Sequence, residues 1–286
     1  MCRLFALFSP QNPVHATFWL LSAPDSFLDQ SLRNPDGTGL GYFDEKGRPV
    51  LDKEPIAAFE DHAYIREARQ VRSTVFVSHI RFATNGPKTL QNCQPFEMDG
   101  RLFAHNGVLG GLDKLEARLG ETRALVQGDT DSECYFAYIT RQIREHEGDV
   151  AAGIAAAVDW IADELPIYSL NFILATAQEL WVFRYPETHT LYLLEREEGG
   201  HHGDRELHYL SQRGLRVLSP QLREQRSVVV ASERLNDHPG WKEIQSGELI
   251  HVSASLALTS TRLLDRPPNK RLAPQAAVAK YHSPTS

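Results

Sequence analysis

Four short apolar runs limit the folds that this chain can adopt. Most positions in them are apolar, and several are β-branched or aromatic: LFALF at residues 4–8, TVFVSHI at 74–80, NFILA at 171–175 and SVVVA at 227–231. A strand with one face in water alternates apolar and polar residues, so these runs predict strands covered on both faces. We therefore expect stacked sheets with further layers on either side.

Helical patterns lie between some of these strands. Leu112, Leu115 and Leu119 fall on one helical face, as do five apolar residues between 150 and 165. The second half then gives consecutive strand patterns near residues 167–176, 179–185, 189–194, 207–211, 227–231 and 248–252. This order favours largely antiparallel sheets flanked by helices, which is an α+β fold.

The chain is interpreted as one large domain over residues 2–255 with a C-terminal tail over 256–286. Its 286 residues, 42% of them hydrophobic, are enough to bury a sizeable core. Residues 195–206 are charged and glycine-rich without periodicity and predict an exposed loop. From residue 265 onward, proline and polar groups predict poor packing.

Composition argues against several classes of partner and site. Thirty lysines and arginines oppose 37 aspartates and glutamates, and the formal charge of −7 without a basic run disfavours nucleic acid and membrane surfaces. No leader-type segment or membrane-length apolar run is seen, so we expect a cytoplasmic protein. Three widely spaced cysteines without CxxC, and twelve histidines without HExxH, predict no disulfide framework, metal or other cofactor.

Cys2 directly precedes the first strand pattern. One interpretation is a small buried hydrophobe that begins a strand. The other requires removal of Met1, which would place a thiol and a free α-amine on one residue. Both groups titrate near neutral pH, so the amine could accept the thiol proton and Cys2 could act as a nucleophile.

Arg81 ends an otherwise buried strand and leads into an Asn-Gly turn at residues 85–86. A guanidinium at the end of a buried strand is costly unless it meets an anion, internal or external. A substrate carboxylate would serve as that anion.

A second Asn-Gly pair ends the strand pattern RLFAHNG, at Asn106 and Gly107. It predicts either a hairpin turn or an oxyanion hole. In the second case the Asn106 amide and the Gly107 N–H would both donate to a tetrahedral intermediate.

GDTDSE at residues 128–133 leads into a helical pattern. Thr130 and Glu133 have the spacing of a capping box, and Asp131 suits the first turn of a helix. Asp131 could in addition face a cleft and hold a substrate ammonium. With Arg81 it would then bind both charged ends of an amino acid.

Met-Cys, HIRFATNG, NCQPF, FAHNG and DTDSE occur in this order. Together they resemble the class II glutamine amidotransferase domain, which belongs to the N-terminal nucleophile hydrolases. The opening Met-Cys-Arg is similar to the stand-alone YafJ-like and ergothioneine-pathway γ-glutamyl hydrolase types. The likeness covers roughly residues 2–255 and is carried by five ordered motifs.

The resemblance implies a four-layer αββα sandwich and a role for each matching residue. Cys2 would be the nucleophile and its amine the base, with Asn106 and Gly107 as the oxyanion hole. The implied substrate-binding residues are Arg81 for the α-carboxylate, Asp131 for the α-ammonium, and Thr84 and Gly86 in the loop beside them.

The expected reaction is cleavage of the γ-amide of glutamine or of a γ-glutamyl compound through a γ-glutamyl thioester. The products would be glutamate and either an amine or ammonia, the latter handed to a separate synthase subunit. The alternative is a catalytically silent amino-acid-binding or regulatory protein on the same fold. A penicillin or bile-salt acylase is disfavoured because apolar acyl groups would leave Arg81 and Asp131 unpaired.

Overall fold

The computed structural model describes residues 1–83, 86–198, 208–210, 216–218, 222 and 224–273. The strands are Arg3–Phe8 (β1), Thr38–Phe43 (β2), Pro49–Glu54 (β3), Val75–Ile80 (β4), Phe96–Met98 (β5), Arg101–Leu109 (β6), Pro166–Ala175 (β7), Leu180–Arg184 (β8), Tyr192–Arg196 (β9), His208–Leu210 (β10), Arg216–Leu218 (β11), Ser227–Ala231 (β12), Lys242–Glu243 (β13), Glu248–Val252 (β14), Leu258–Arg262 (β15) and Lys270–Arg271 (β16). The α-helices are Phe27–Gln30 (α1), His62–Gln70 (α2), Leu112–Glu116 (α3), Asp131–Glu145 (α4) and Val150–Glu164 (α5). A π-helical turn covers Phe18–Ser22, and 3₁₀ turns cover Leu90–Asn92 and Gly120–Leu125.

Two large sheets form the centre of the molecule. The first has the order β13-β9-β12-β1-β4-β2-β3 and the second the order β15-β14-β8-β7-β6-β5. All neighbours along both paths are antiparallel, and β16 adds a short parallel pairing to β7. The expected antiparallel α+β fold is confirmed.

The alternation of side chains along β1 shows how the layers arise. Leu4, Ala6 and Phe8 pack between the two sheets, whereas Phe5 and Leu7 pack on the outer face of the first sheet, beneath α2. The outer face of the second sheet packs against α4 and α5. Because both faces of β1 are apolar and both are covered, the four-layer αββα expectation is confirmed.

Local capping residues mark the start of each of the two long helices. Thr130 caps α4 by accepting the Glu133 N–H at 3.3 Å, as the capping-box spacing predicted. The Glu133 carboxylate accepts instead from the N–H groups of Gln127 and Gly128, at 3.1 and 2.7 Å, and so folds the preceding loop onto the helix. Asp149 caps α5 by accepting the Ala152 N–H at 3.0 Å.

The predicted tail contains two strands. Beyond residue 255 the chain forms β15, which pairs with β14, and β16, which pairs with β7. Arg266 reaches Asp159 and Asp163 on α5, and Asn269 also bonds Asp163. Polar groups of residues 265–273 thus bind acidic partners on α5, although most of these residues are exposed, and the expectation of a poorly packed tail stays a prediction. The domain boundary after residue 255 stays a prediction.

Among the described residues, no helix is both long enough and apolar enough to cross a membrane. Most of the loop predicted at 195–206 lies outside the described residues, and its first two positions belong to β9.

Candidate active site

Adjacent strands of the first sheet bring Cys2 and Arg81 to the same end of the sheet. β1 and β4 pair antiparallel with Arg3 opposite Ile80, so the next position of each chain, Cys2 and Arg81, lies at the same end of the sheet. The Arg81 N–H donates to the carbonyl of Gly37 at 2.8 Å, which extends the pairing toward β2. This strand end forms the first wall of a cleft.

A β-bulge and a helix start form the second wall. The pairing of β6 with β7 shifts register between Val108 and Leu109. The Leu109 N–H donates to Asp131 Oδ2 at 2.6 Å and so ties the first residue of α4 to β6. Asp131 is only 3% exposed.

The two walls enclose a cleft with about 310 Å³ of empty space, part of it open to solvent. Four residues predicted for the site line it together: Cys2, Arg81, Gly107 and Asp131. Six further lining residues were not predicted: Phe82, Asn92, Gln94, His105, Thr130 and Ser132. The cleft therefore brings a thiol, a guanidinium and a carboxylate together.

The Arg81 guanidinium organises the loop that follows its strand. Arg81 Nη1 donates to the carbonyl of Pro87 at 2.9 Å and Nη2 to that of Gly86 at 3.1 Å. Gly86 has a φ of +71°, and a Cβ there would lie 2.9 Å from Asn92 Nδ2, so both conformation and space favour glycine. Gly86 does not line the cleft, and Thr84 lies outside the described residues.

Asn92 joins two loops at the cleft. Its Nδ2 donates to the carbonyl of Pro87 at 3.1 Å, and its Oδ1 accepts the Asp129 N–H at 2.8 Å. The side chain is 1% exposed, so both bonds are made away from bulk water. Asn92 therefore fixes the loop after Arg81 relative to the loop before Asp131.

The Cys2 thiol is held by the backbone of Phe82. It accepts the Phe82 N–H at 3.3 Å and donates to the Phe82 carbonyl at 3.4 Å. Burial raises the pKa of this thiol, against the opposing effects of the Phe82 N–H and nearby positive charges. Burial lowers the pKa of the α-amine of Met1. The Cys2 nitrogen is a peptide nitrogen while Met1 is present, and it becomes an amine that could act as a base only when Met1 is removed.

Asn106 and Gly107 lie within β6, so the hairpin alternative is wrong. They pair with Asn171 and Leu170 of β7, and a Cβ on Gly107 would overlap the carbonyl oxygen of Ser169. The Asn106 side chain is buried and does not line the cleft, and its Oδ1 has no hydrogen-bond partner among the described residues. Its role in an oxyanion hole stays a prediction.

The model of the class II glutamine amidotransferase family matches residues 1–274. The YafJ protein of Escherichia coli, named as a glutamine amidotransferase, is 29% identical over 226 residues, which are 74% of this chain and 83% of that protein. The match to the family model thus includes both walls of the cleft.

Two solved structures share the fold. A class II glutamine aminotransferase domain protein from Silicibacter pomeroyi has a TM-score of 0.60 at 20% identity, over 92% of this chain and all of that one. Glutamine phosphoribosylpyrophosphate amidotransferase from B. subtilis has a TM-score of 0.63 at 18% identity. That match covers 93% of this chain but only 50% of the B. subtilis chain. By its family match, this chain belongs to the class II glutamine amidotransferases.

Proposed function

We propose that this chain cleaves the γ-amide of glutamine or of a γ-glutamyl compound, with Cys2 as nucleophile after removal of Met1. The observation that carries the proposal is that Cys2, Arg81 and Asp131 line one cleft. Arg81 would bind the substrate α-carboxylate and Asp131 its α-ammonium, which leaves the γ-amide directed at the thiol.

The reaction would proceed in two halves. The Cys2 sulfur attacks the amide carbon while the free α-amine of Cys2 takes the thiol proton, giving a tetrahedral oxyanion. Its C–N bond then breaks as the protonated amine returns the proton to the leaving nitrogen, and a γ-glutamyl thioester remains. Water attacks the thioester, the C–S bond breaks, and glutamate and the free thiol are released.

Asn106 and Gly107 would stabilise the oxyanion formed in each half. The Gly107 N–H belongs to a residue that lines the cleft. The even-numbered residues of β6 face the gap between the sheets, as Ala104 shows, and this is the side on which Leu4 and hence Cys2 lie. Asn106 thus faces the same gap between the sheets as Cys2, and its Nδ2 would be the donor to the oxyanion.

The leaving group is either ammonia for a separate synthase subunit or an amine from a γ-glutamyl metabolite. Co-purification of a stoichiometric synthase would support the first, and rapid release of an amine without a partner the second. A reducing cytoplasm would keep the Cys2 thiol available, and we place the protein there.

Intact-mass measurement with 6-diazo-5-oxo-norleucine, a glutamine-like electrophile, tests the proposal. We expect loss of Met1 and a single adduct that peptide mapping assigns to Cys2. Cys93 and Cys134 are buried and serve as internal controls, since they should stay unlabelled. The Cys2→Ala variant should take no label. Retention of Met1, or an unlabelled Cys2, would overturn the catalytic proposal and favour the amino-acid-binding alternative.

A further inference from the structure

The ring of His105 lies between two polar partners at the back of the cleft. His105 is 1% exposed, with Nε2 at 3.1 Å from the carbonyl oxygen of Ser169 and Nδ1 at 2.9 Å from Ser132 Oγ. Both His105 and Ser132 line the cleft, and Ser132 follows Asp131 in the first turn of α4.

These contacts define which ring nitrogen carries the proton. A carbonyl oxygen can only accept, so the proton lies on Nε2 and is donated to Ser169. Burial lowers the pKa of His105 to about 4, so at neutral pH the ring has a single N–H. Nδ1 is then an acceptor, and the Ser132 hydroxyl must donate to it.

The direction of this bond determines what Ser132 can offer a ligand. Its only proton is donated to His105, so the oxygen can act toward the cleft only as an acceptor. An ammonium group brings three N–H donors, and the adjacent Asp131 already accepts the Leu109 N–H with one carboxylate oxygen. A second acceptor beside Asp131 suits a ligand rich in donors.

We propose that Ser132 Oγ is a second acceptor for the substrate α-ammonium, and that His105 is the positioning residue that turns the Ser132 hydroxyl away from the ligand. The inference rests on the proposed function, in which Asp131 holds that ammonium. The Ser132 hydroxyl has no proton left to donate to a carboxylate. The substrate α-carboxylate would instead bind Arg81 on the opposite wall. The pair therefore selects ligands with a free α-amino group.

Equilibrium binding of L-glutamate and of glutarate, which lacks only the α-amino group, tests this without any turnover. Calorimetry on the wild type, Ser132→Ala and Ser132→Thr should show glutamate binding weakened about tenfold by alanine. Glutarate binding should not change with either variant. Threonine retains the hydroxyl and should restore glutamate binding to within about threefold of the wild type. Equal losses for both ligands, or no loss for glutamate, would overturn the proposal.

The protonation of the ring gives a second readout that is independent of ligand. Nitrogen-15 shifts of His105 should show protonated Nε2 and unprotonated Nδ1 from pH 5.5 to 8. A proton on Nδ1 would overturn the inference. Failure of the proposed function is distinguishable, because a protein that binds glutamate through Ser132 yet takes no label at Cys2 would retain this inference and lose the catalytic one.

Discussion

The two walls of the cleft are built in different ways. The first wall places Cys2 and Arg81 by the register of two paired strands, so backbone pairing fixes their main-chain positions. The second wall places Asp131 through a β-bulge and a helix start, and Ser132 through a hydrogen bond to His105. The first wall carries the thiol, whereas the second carries the carboxylate and the hydroxyl. We therefore expect substitution of Cys2 on the first wall to remove the chemistry, and substitution of Asp131 or Ser132 on the second to weaken ligand binding.

The largest effect is expected from Cys2→Ala. Loss of the nucleophile should lower kcat for glutamine hydrolysis by about 10³-fold or more, because neither of the other two cysteines, Cys93 and Cys134, lines the cleft. Glutamate affinity and Tm should stay near the wild-type values. Coupled ammonia detection and calorimetry would measure both. Turnover close to wild type would show that the first wall does not carry the chemistry.

On the second wall, Asp131→Asn removes a charge while retaining an acceptor for the Leu109 N–H. We expect glutamate affinity to fall by about 10- to 100-fold, the range for losing a charged hydrogen bond. Tm should change little, because the bond from Leu109 can persist. Calorimetry with glutamate checks this, with glutarate as the matched ligand. An unchanged affinity would contradict the assignment of the ammonium to this wall.

Asn92→Ala tests the connection between the walls. Both side-chain bonds would be lost inside the protein, and we expect the free energy of unfolding to fall by about 2 kcal/mol. KM should also rise several-fold, since the two loops lose their common anchor. Leu90→Ala on the same 3₁₀ turn is a control, because Leu90 is 46% exposed. Equal destabilisation by both variants in chemical denaturation would argue against the anchor.

The smallest effect concerns Glu67 on α2, away from the cleft. Burial and the neighbouring Asp52 raise the pKa of Glu67 from its ordinary value to about 7. Between about pH 4.5 and 7 the folded protein retains the Glu67 proton, whereas the unfolded chain has lost it. The stability that this proton contributes is fully present below about pH 4.5 and is lost as the pH rises through 7.

We expect Glu67→Gln to stabilise the protein at pH 8 by about 1 kcal/mol relative to its effect at pH 5, since partial exposure weakens the repulsion. Denaturation at the two pH values measures this difference. The exposed Glu60→Gln serves as a control, and kcat should be unaffected by either change. If the effect of Glu67→Gln is the same at both pH values, the repulsion between Glu67 and Asp52 is not its cause.

Much of the frame could be predicted from the pattern of apolar residues. The two-sided runs predicted covered strands because their burial depends on side-chain type alone, and Val228 to Val230 are all buried in the first sheet. The start of α4 was predictable for a similar reason, since Thr130 and Glu133 act locally. The motifs also predict Cys2, Arg81, Gly107 and Asp131 as site residues, and all four line one cleft.

What could not be predicted depends on contacts between distant segments. Asn106-Gly107 has the composition of a turn, yet pairing with β7 holds it inside a strand. His105 and Ser132 are 27 positions apart, and only the packing of α4 on β6 brings them together. The sequence signal for each is its place inside a motif, FAHNG for His105 and DTDSE for Ser132. The register shift at Leu109, which positions Asp131, left no signal in residue type.

The gap between the sheets lies directly beneath the nucleophile. Leu4 and His79 pair across β1 and β4 one layer below Cys2 and Arg81, and both side chains are fully buried. Because Leu4 packs between the two sheets, the volume of this layer should contribute to the separation of the two walls. Glutamine and asparagine differ by one methylene in the same dimension. In the proposed binding mode, discrimination by substrate length would depend on interior side-chain volume, and repacking the Leu4 layer should shift it with no change to Arg81, Asp131 or Cys2.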